Sequence, residues 1–287
     1  MMFPKWLTKR VNFTGRFKAT ETLLKGLNLN TVCESAGCPN RPECFGEGTA
    51  TFMILGDVCT RDCSFCAVGN GFPLPIDPGE PLRIARAVHS LGLRHVVITS
   101  VTRDDLPDGG ALQFARTIHQ VRSLNPGVSI ETLIPDFQGS TEALLLVIEA
   151  RPEVIGHNLE TVPSLYNSIR PQADYHRSLE LLKFVKLTNP AVLTKSGIML
   201  GLGESEEEVI EVMTDLRKVG CDCLTIGQYL RPSRMHVEVE EYVSPERFER
   251  FKRTAHDMGF SRVASAPFVR SSYKAGELVG GLLRSFS

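Results

Sequence analysis

Six of the eight cysteines in this 287-residue chain fall into two triplets. Cys33, Cys38 and Cys44 lie in CESAGCPNRPEC with C-x4-C-x5-C spacing, and Cys59, Cys63 and Cys66 lie in CTRDCSFC with C-x3-C-x2-C spacing. Thiolates crowded on turn-prone segments can converge on a metal centre while nearby backbone N–H groups ease the charge on sulfur. Structural zinc usually takes four ligands in paired steps, which fits triplets poorly. Three thiols are awkward to pair locally as disulfides, and a chain this long can build a core without them. What three thiolates do well is hold three irons of a [4Fe–4S] cubane and leave the fourth iron open to another ligand. Cys221 and Cys223 sit two apart on a predicted strand with no third thiolate near them in sequence, and read as core packing.

Positioning these cysteines requires a scaffold, and the pattern predicts one of α/β class. After a loop-rich first 50 residues, strands are expected near 51–57, 95–99, 128–133, 153–157, 192–199 and 222–226. Helices are expected near 81–91, 110–124, 140–150, 176–188, 205–219 and 245–258. Ser205 and Glu208 have the form of a capping box, and Ser244-Pro245 that of a helix start. Six βα units without a long linker predict a partial (β/α)6 TIM-type barrel. Its organisation would be an N-terminal extension 1–50 bearing the first triplet, a barrel 51–243 and a C-terminal extension 244–287, all one structural domain. Polar residues gather at the expected carboxyl ends of strands, where such barrels do their chemistry: Thr99, Ser100, Glu131, His157, Asn158, Glu160, Lys195 and Gln228.

A formal net charge of −1 excludes a broad nucleic-acid footprint and favours small-molecule or protein partners. Lys5, Lys9, Arg10, Arg16 and Lys18 read as a solvated basic arm. No apolar run approaches the roughly 18 to 20 residues needed to cross a bilayer, so no membrane association is expected. The start lacks a secretory apolar segment, so a cytoplasmic protein is expected, with a mature organellar form left open.

The second triplet, directly after the first predicted strand and with Phe65 before its last cysteine, resembles the signature of radical S-adenosylmethionine enzymes. The resemblance implies a cluster whose free iron chelates the amino and carboxylate groups of S-adenosylmethionine. An electron from that cluster then splits a sulfur–carbon bond, giving a radical able to take hydrogen from an unactivated C–H bond. The cofactor carries that chemistry, while the protein positions and shields. Thr99, Ser100, Glu131, Asn158 and Glu160 are then candidates to contact the methionine and ribose parts, though each could equally cap a turn. Asp104, Asp105 and Asp108 suit either orienting an amine or hydroxyl or making Asx turns. Gly201 and Gly203 suit either close backbone approach to an adenine or a strand-to-helix turn.

With the first triplet added, the segments PKWL at 4–7, CESAGCPNRPECFGEGTATFMILGDVCTRDCSFCAV at 33–68, TSVTRDDLPDGG at 99–110, ETLIPDF at 131–137, HNLETV at 157–162, KSGIMLGLGE at 195–204, TIGQYLRPS at 225–233 and RSSY at 270–273 resemble the lipoyl synthase family over nearly the whole chain. The resemblance implies insertion of sulfur at C6 and C8 of a protein-bound octanoyl chain. Both sulfurs would come from an auxiliary [4Fe–4S] cluster on Cys33, Cys38 and Cys44, with Ser272 of RSSY as its fourth ligand and Ser271 the less favoured choice. It also implies octanoylated lipoyl-carrier domains as substrate (2-oxoacid dehydrogenase E2 or glycine-cleavage H protein), a low-potential electron donor, and an iron–sulfur carrier to rebuild the spent cluster. Two rivals remain at this point: another sulfur-inserting radical enzyme of the biotin synthase kind, and a non-catalytic metal-binding module.

Overall fold

The computed structural model describes residues 3–9, 11 and 13–283. The described chain divides into two compact units, one of residues 11, 13–61 and 67–155, the other of 3–9, 62–66 and 156–283.

The first unit opens with α1 (Gly15–Gly26), capped by Thr14, whose side chain accepts from the Phe17 N–H. There follow β1 (Asn30–Thr31), α2 (Val32–Ser35), α3 (Arg41–Gly46) and β2 (Thr51–Ile54). The expected loop-rich start thus contains three α-helices among the described residues. They escape a periodicity search because two of them are four and six residues long. Next come β3 (Val58–Cys59), β4 (Gly69–Asn70), α4 (Glu80–Leu91), β5 (His95–Ser100), α5 (Ala111–Leu124), β6 (Ser129–Leu133), α6 (Thr141–Glu149) and β7 (Val154–Gly156). Strands β2, β5 and β6 pair in parallel, and β1 pairs antiparallel to β2. Phe52, Ile54, Ile98 and Ile130 on the sheet, with Ile84, Val88, Phe114, Ile118 and Val147 on α4, α5 and α6, are all buried. Burial of such side chains stabilises by about 1.5–3 kcal/mol each, which is why α4 and α5 carry apolar stripes at helical spacing.

The second unit contains α7 (Tyr166–Ile169), α8 (Tyr175–Thr188), β8 (Leu193–Leu200), α9 (Glu206–Lys218), β9 (Cys223–Gln228), α10 (Pro245–Asp257), β10 (Arg262–Ser265) and α11 (Ala275–Leu283). Helix α9 begins with the expected capping box, Ser205 and Glu208 each bonding the other's backbone. Ser244 caps α10, with Pro245 in its first turn. Strands β8, β9 and β10 are parallel, so β10 adds a strand that the sequence reading did not foresee.

All six expected strands and the six expected helices are present within a residue or a few of their predicted ends. Among the described residues no helix is long and apolar enough to cross a membrane. The basic arm differs in one respect from a merely solvated one. Lys9 Nζ lies 5.1 Å from the Tyr273 ring centroid and 5.4 Å from that of Phe268, within cation–π range. Arg10 lies outside the described residues.

Candidate active site

The first cysteine triplet is built from α2, α3 and the turn between them. Cys33 lies in α2, capped by Thr31, and its carbonyl accepts from the Cys38 N–H at 3.1 Å. Gly37 takes a left-handed φ of 58° that lets the chain reverse before Cys38. Cys44 lies in α3, and its carbonyl accepts from both the N–H and the hydroxyl of Thr49. Arg41 braces this turn, paired with Glu21 and Glu34 at 3.3 and 3.4 Å and set over the rings of Phe17 and Phe45. Cys33 is buried, and Cys38 and Cys44 are half-buried.

Burial pushes the Cys33 thiol up to about 11, with a further rise from Cys38. Burial likewise pushes Cys44 up to about 12, aided by Cys33 and Cys38. Cys33 and Cys44 therefore hold their protons until iron replaces them. That donor set fits an iron–sulfur cluster. Among the described residues no three Cys, His, Asp or Glu side chains converge as one metal ion needs. A cubane offers each thiolate its own iron and asks for no such convergence.

The second triplet begins where β2 ends. Leu55 and Gly56 adopt φ of 70° and 92°, turning the chain out of the strand. Leu55 is held at both ends, its N–H donating to Glu80 at 3.0 Å and its carbonyl accepting from Arg103 at 3.3 Å. Cys59 closes β3, which pairs in parallel with β4, and its carbonyl accepts from the Gly71 N–H. This two-residue pairing ties the base of the loop.

Cys63 and Cys66 belong to the other unit, where a turn joins the Cys66 N–H to the Cys63 carbonyl at 3.0 Å. Phe65 packs against buried Ile169, Leu202 and Tyr229, so the aromatic before the last cysteine anchors the loop. Ser64 adds four bonds: its N–H donates to the Ile169 carbonyl, its hydroxyl donates to the Ser168 and Ile169 carbonyls, and its carbonyl accepts from the Val237 N–H. The Asp62 N–H donates to Gln172, and His236 Nε2 lies 3.0 Å from the Cys66 carbonyl. Gln172 and His236 escaped the sequence reading because they stand far along the chain.

The strand-end candidates fall into different situations. Thr99 Oγ1 donates to the Leu133 carbonyl, within the sheet. At the end of β5, Ser100 Oγ is buried with no partner among the described residues, and a buried orphan of this kind calls for an explanation. Glu131 stands in the middle of β6 and not at its end, with a carboxylate oxygen 3.4 Å from His95 Nε2 at the start of β5.

Asn158 and Glu160 lie together in the second unit, where Asn158 Nδ2 donates to Glu160 at 3.0 Å. Glu160 holds a left-handed φ of 66° and bridges to Ile198 of β8 through its N–H and carbonyl. Such a conformation in a non-glycine residue is costly and is kept where the surroundings enforce it. Burial raises the Glu160 carboxyl above its ordinary value, opposed by Arg170 and Arg270. Asn158 Oδ1 accepts from Ser271 Oγ at 3.0 Å, which links the RSSY turn to this pair. Ser272 is half-buried in that same turn ahead of α11. The glycines of GIMLGLGE serve the turn: the Gly201 and Leu202 N–H groups donate to Glu204, and a Cβ at Gly201 would meet Gln228 and the Glu241 carbonyl at 2.3 Å. Cys221 and Cys223 are fully buried, as expected of core residues.

The fold is also found in solved structures. Methylornithine synthase matches with TM-score 0.57 at 15% identity, covering 88% of this chain and 75% of that one. The hydrogenase maturase HydG matches with TM-score 0.58 at 13% identity, over 74% and 50%. These likenesses carry the fold, an α/β architecture of the partial TIM-barrel kind. Residues 53–216 match the model of the Radical SAM superfamily, which defines the class: an enzyme employing S-adenosylmethionine and [4Fe–4S] clusters.

The chain is 60% identical over 272 residues to the lipoyl synthase of Caldanaerobacter subterraneus subsp. tengcongensis, covering 95% of both chains. It is 57% identical over 274 residues to that of Alkaliphilus metalliredigens, covering 96% of this chain and 94% of the other. It therefore belongs to the lipoyl synthase family.

Proposed function

We propose that this chain converts an octanoyl-lysine side chain of a lipoyl-carrier domain into a lipoyl group by inserting sulfur at C6 and C8. The observation that carries the reading is the pair of three-cysteine sets, one of them gathered on α2, α3 and their turn, where the Cys38 N–H bonds the Cys33 carbonyl. When bound, the [4Fe–4S] cluster on Cys59, Cys63 and Cys66 would supply the electron for radical formation from S-adenosylmethionine, and the cluster on Cys33, Cys38 and Cys44 the sulfur.

In this proposal the residues divide the remaining work. The backbone bonds of Ser64 and the burial of Phe65 hold one arm of the radical-cluster loop. Asn158 and Glu160 offer an amide and a carboxylate to the polar parts of S-adenosylmethionine, and the orphaned Ser100 hydroxyl offers a third group. Thr99 serves through its bond within the sheet, and Glu131 through His95. Ser272 would be the fourth protein ligand of the auxiliary cluster.

The carrier domain would be of the 2-oxoacid dehydrogenase E2 or glycine-cleavage H protein type. A low-potential electron donor and an iron–sulfur carrier would act as further partners, in the cytoplasm. The test is mass spectrometry of an octanoyl-lysyl peptide incubated anaerobically with reconstituted protein, S-adenosylmethionine and a strong reductant. Gain of two sulfurs by the native chain and none by Cys33→Ala is expected. Formation of 5′-deoxyadenosine without sulfur gain would refute the choice of substrate.

A further inference from the structure

Arg61 stands between Cys59 and Cys63, and its buried guanidinium forks into two carboxylates at once. Nε and Nη2 donate to Asp104 at 2.7 and 2.9 Å, and Nη1 and Nη2 donate to Asp136 at 3.1 and 2.6 Å. Asp104 lies beyond the end of β5 and Asp136 beyond the end of β6, so one side chain is fastened to the loops of two adjacent strands. Asp136 is itself fixed, accepting from the Gln138 N–H at 3.1 Å. Thr60 repeats the attachment: its N–H and hydroxyl donate to the Thr102 carbonyl, and its hydroxyl accepts from the Asp104 N–H. The Arg61 N–H then points to Cys59 Sγ at 3.4 Å.

Removing three charges from water is expensive, and apolar residues would stabilise the fold as well or better. Such an arrangement is explained when it fixes a position. A guanidinium can engage two carboxylates bidentately in one plane, whereas a lysine ammonium is a point charge on a flexible stem.

We infer that Arg61, clamped by Asp104 and Asp136, is a positioning residue that aims the Cys59 thiolate and its N–H···S bond at the radical-cluster iron. The inference rests on Cys59, Cys63 and Cys66 being that cluster's ligands, and it needs nothing from the choice of substrate.

Arg61→Lys keeps the charge and loses the double fork. In full-length protein with Cys33, Cys38 and Cys44 changed to alanine, so that one cluster forms, a chelator should strip iron from Arg61→Lys at least about tenfold faster than from its parent. Asp136→Asn, which leaves both strand loops intact, should accelerate iron loss in the same direction. The change in the reduced cluster's electron paramagnetic resonance spectrum on adding S-adenosylmethionine should be weakened in both. Arg122→Lys is the comparison, since Arg122 also forks, to Glu153 and to the Ala150 and Arg151 carbonyls, but touches no cysteine loop. It should lower the melting temperature and leave iron loss within about twofold of the parent. Iron loss at the parental rate in Arg61→Lys and Asp136→Asn overturns the inference, and so does equal acceleration by Arg122→Lys, which would mean general loosening. These readouts involve no octanoyl substrate, so failure of the lipoyl reading leaves them untouched.

Discussion

Gly227 is the position where the structure makes its sharpest quantitative claim. It lies in β9, and a Cβ added there would stand 2.1 Å from the Val269 carbonyl oxygen, 3.1 Å from its carbon and 3.3 Å from Arg270 Nη1. Real Cβ contacts do not fall below 3.0 Å, and the obstacle is backbone, so Gly227→Ala must push the carbonyl back by about 1 Å. Ser271 follows two residues later, and its 3.0 Å bond to Asn158 would stretch beyond hydrogen-bonding distance. Overpacking costs about 1–3 kcal/mol and the lost hydrogen bond about 1 kcal/mol, so about 2–4 kcal/mol in all. For a chain of this size that is a fall in Tm of about 4–8 °C. Misplacing a reacting group by about 1 Å costs on the order of a hundredfold in rate, and Ser272 moves with the same turn. Thermal melts and sulfur-insertion assays read the two effects, with Gly15→Ala as control because nothing lies within 4 Å of its Cβ position. A Gly227→Ala protein that melts within about 1 °C of the parent and inserts sulfur at the parental rate would refute the close seating of this segment.

Three further outcomes follow from local chemistry. Burial raises the Glu80 carboxyl, so its folded-state preference for the proton stabilises below the ordinary carboxylate range and is lost as pH rises through the folded value. Glu80→Gln keeps an oxygen for the Leu55 N–H and Gln113 donors, so its Tm should match or exceed the parent's at pH 7, the difference shrinking towards pH 4; a lower Tm at pH 7 contradicts this. Ser205→Ala removes one half of the α9 capping box and should cost about 1 kcal/mol, about 2 °C in a thermal melt, with no change in iron content. Replacing Cys221 and Cys223 together by alanine should leave iron and sulfide content at the parental level, since both thiols are buried and Cys221 is directed at backbone carbonyls of Thr194 and Cys223.

The sheet and its helices were legible because their signals are local and repeated. Each long strand is a short apolar run, and α9 announces its start with Ser205 and Glu208. Both cysteine triplets were legible because thiolate chemistry constrains spacing within a few residues. Shorter devices were not. The pairing of β3 with β4 involves two residues on each side and has no propensity signal. Strand β10 is four residues long and follows α10 in a stretch that otherwise looks like a terminal extension. Glu131 was counted among the strand ends although the expected strand 128–133 already ran two residues past it, as β6 does.

The acidic loop after β5 shows where sequence reasoning stops. Asp104, Asp105 and Asp108 look alike in TRDDLPDGG, as three acids suited equally to a ligand or to a turn. In the structure they do three different things. Asp108 accepts from the Gly110 and Leu112 N–H groups and so makes the turn into α5. Asp105 binds Arg103, its neighbour but one, which in turn holds the Leu55 carbonyl at the exit from β2. Asp104 reaches back to Arg61 inside the cysteine motif, a partner 43 residues earlier. Turn chemistry is written in adjacent residues, whereas the Asp104 partnership exists only once β2 and β5 lie side by side. The conserving feature of such a clamp is geometry and not composition, which is why an arginine within CTRDCSFC carried no visible role until its two carboxylates were seen to close on it.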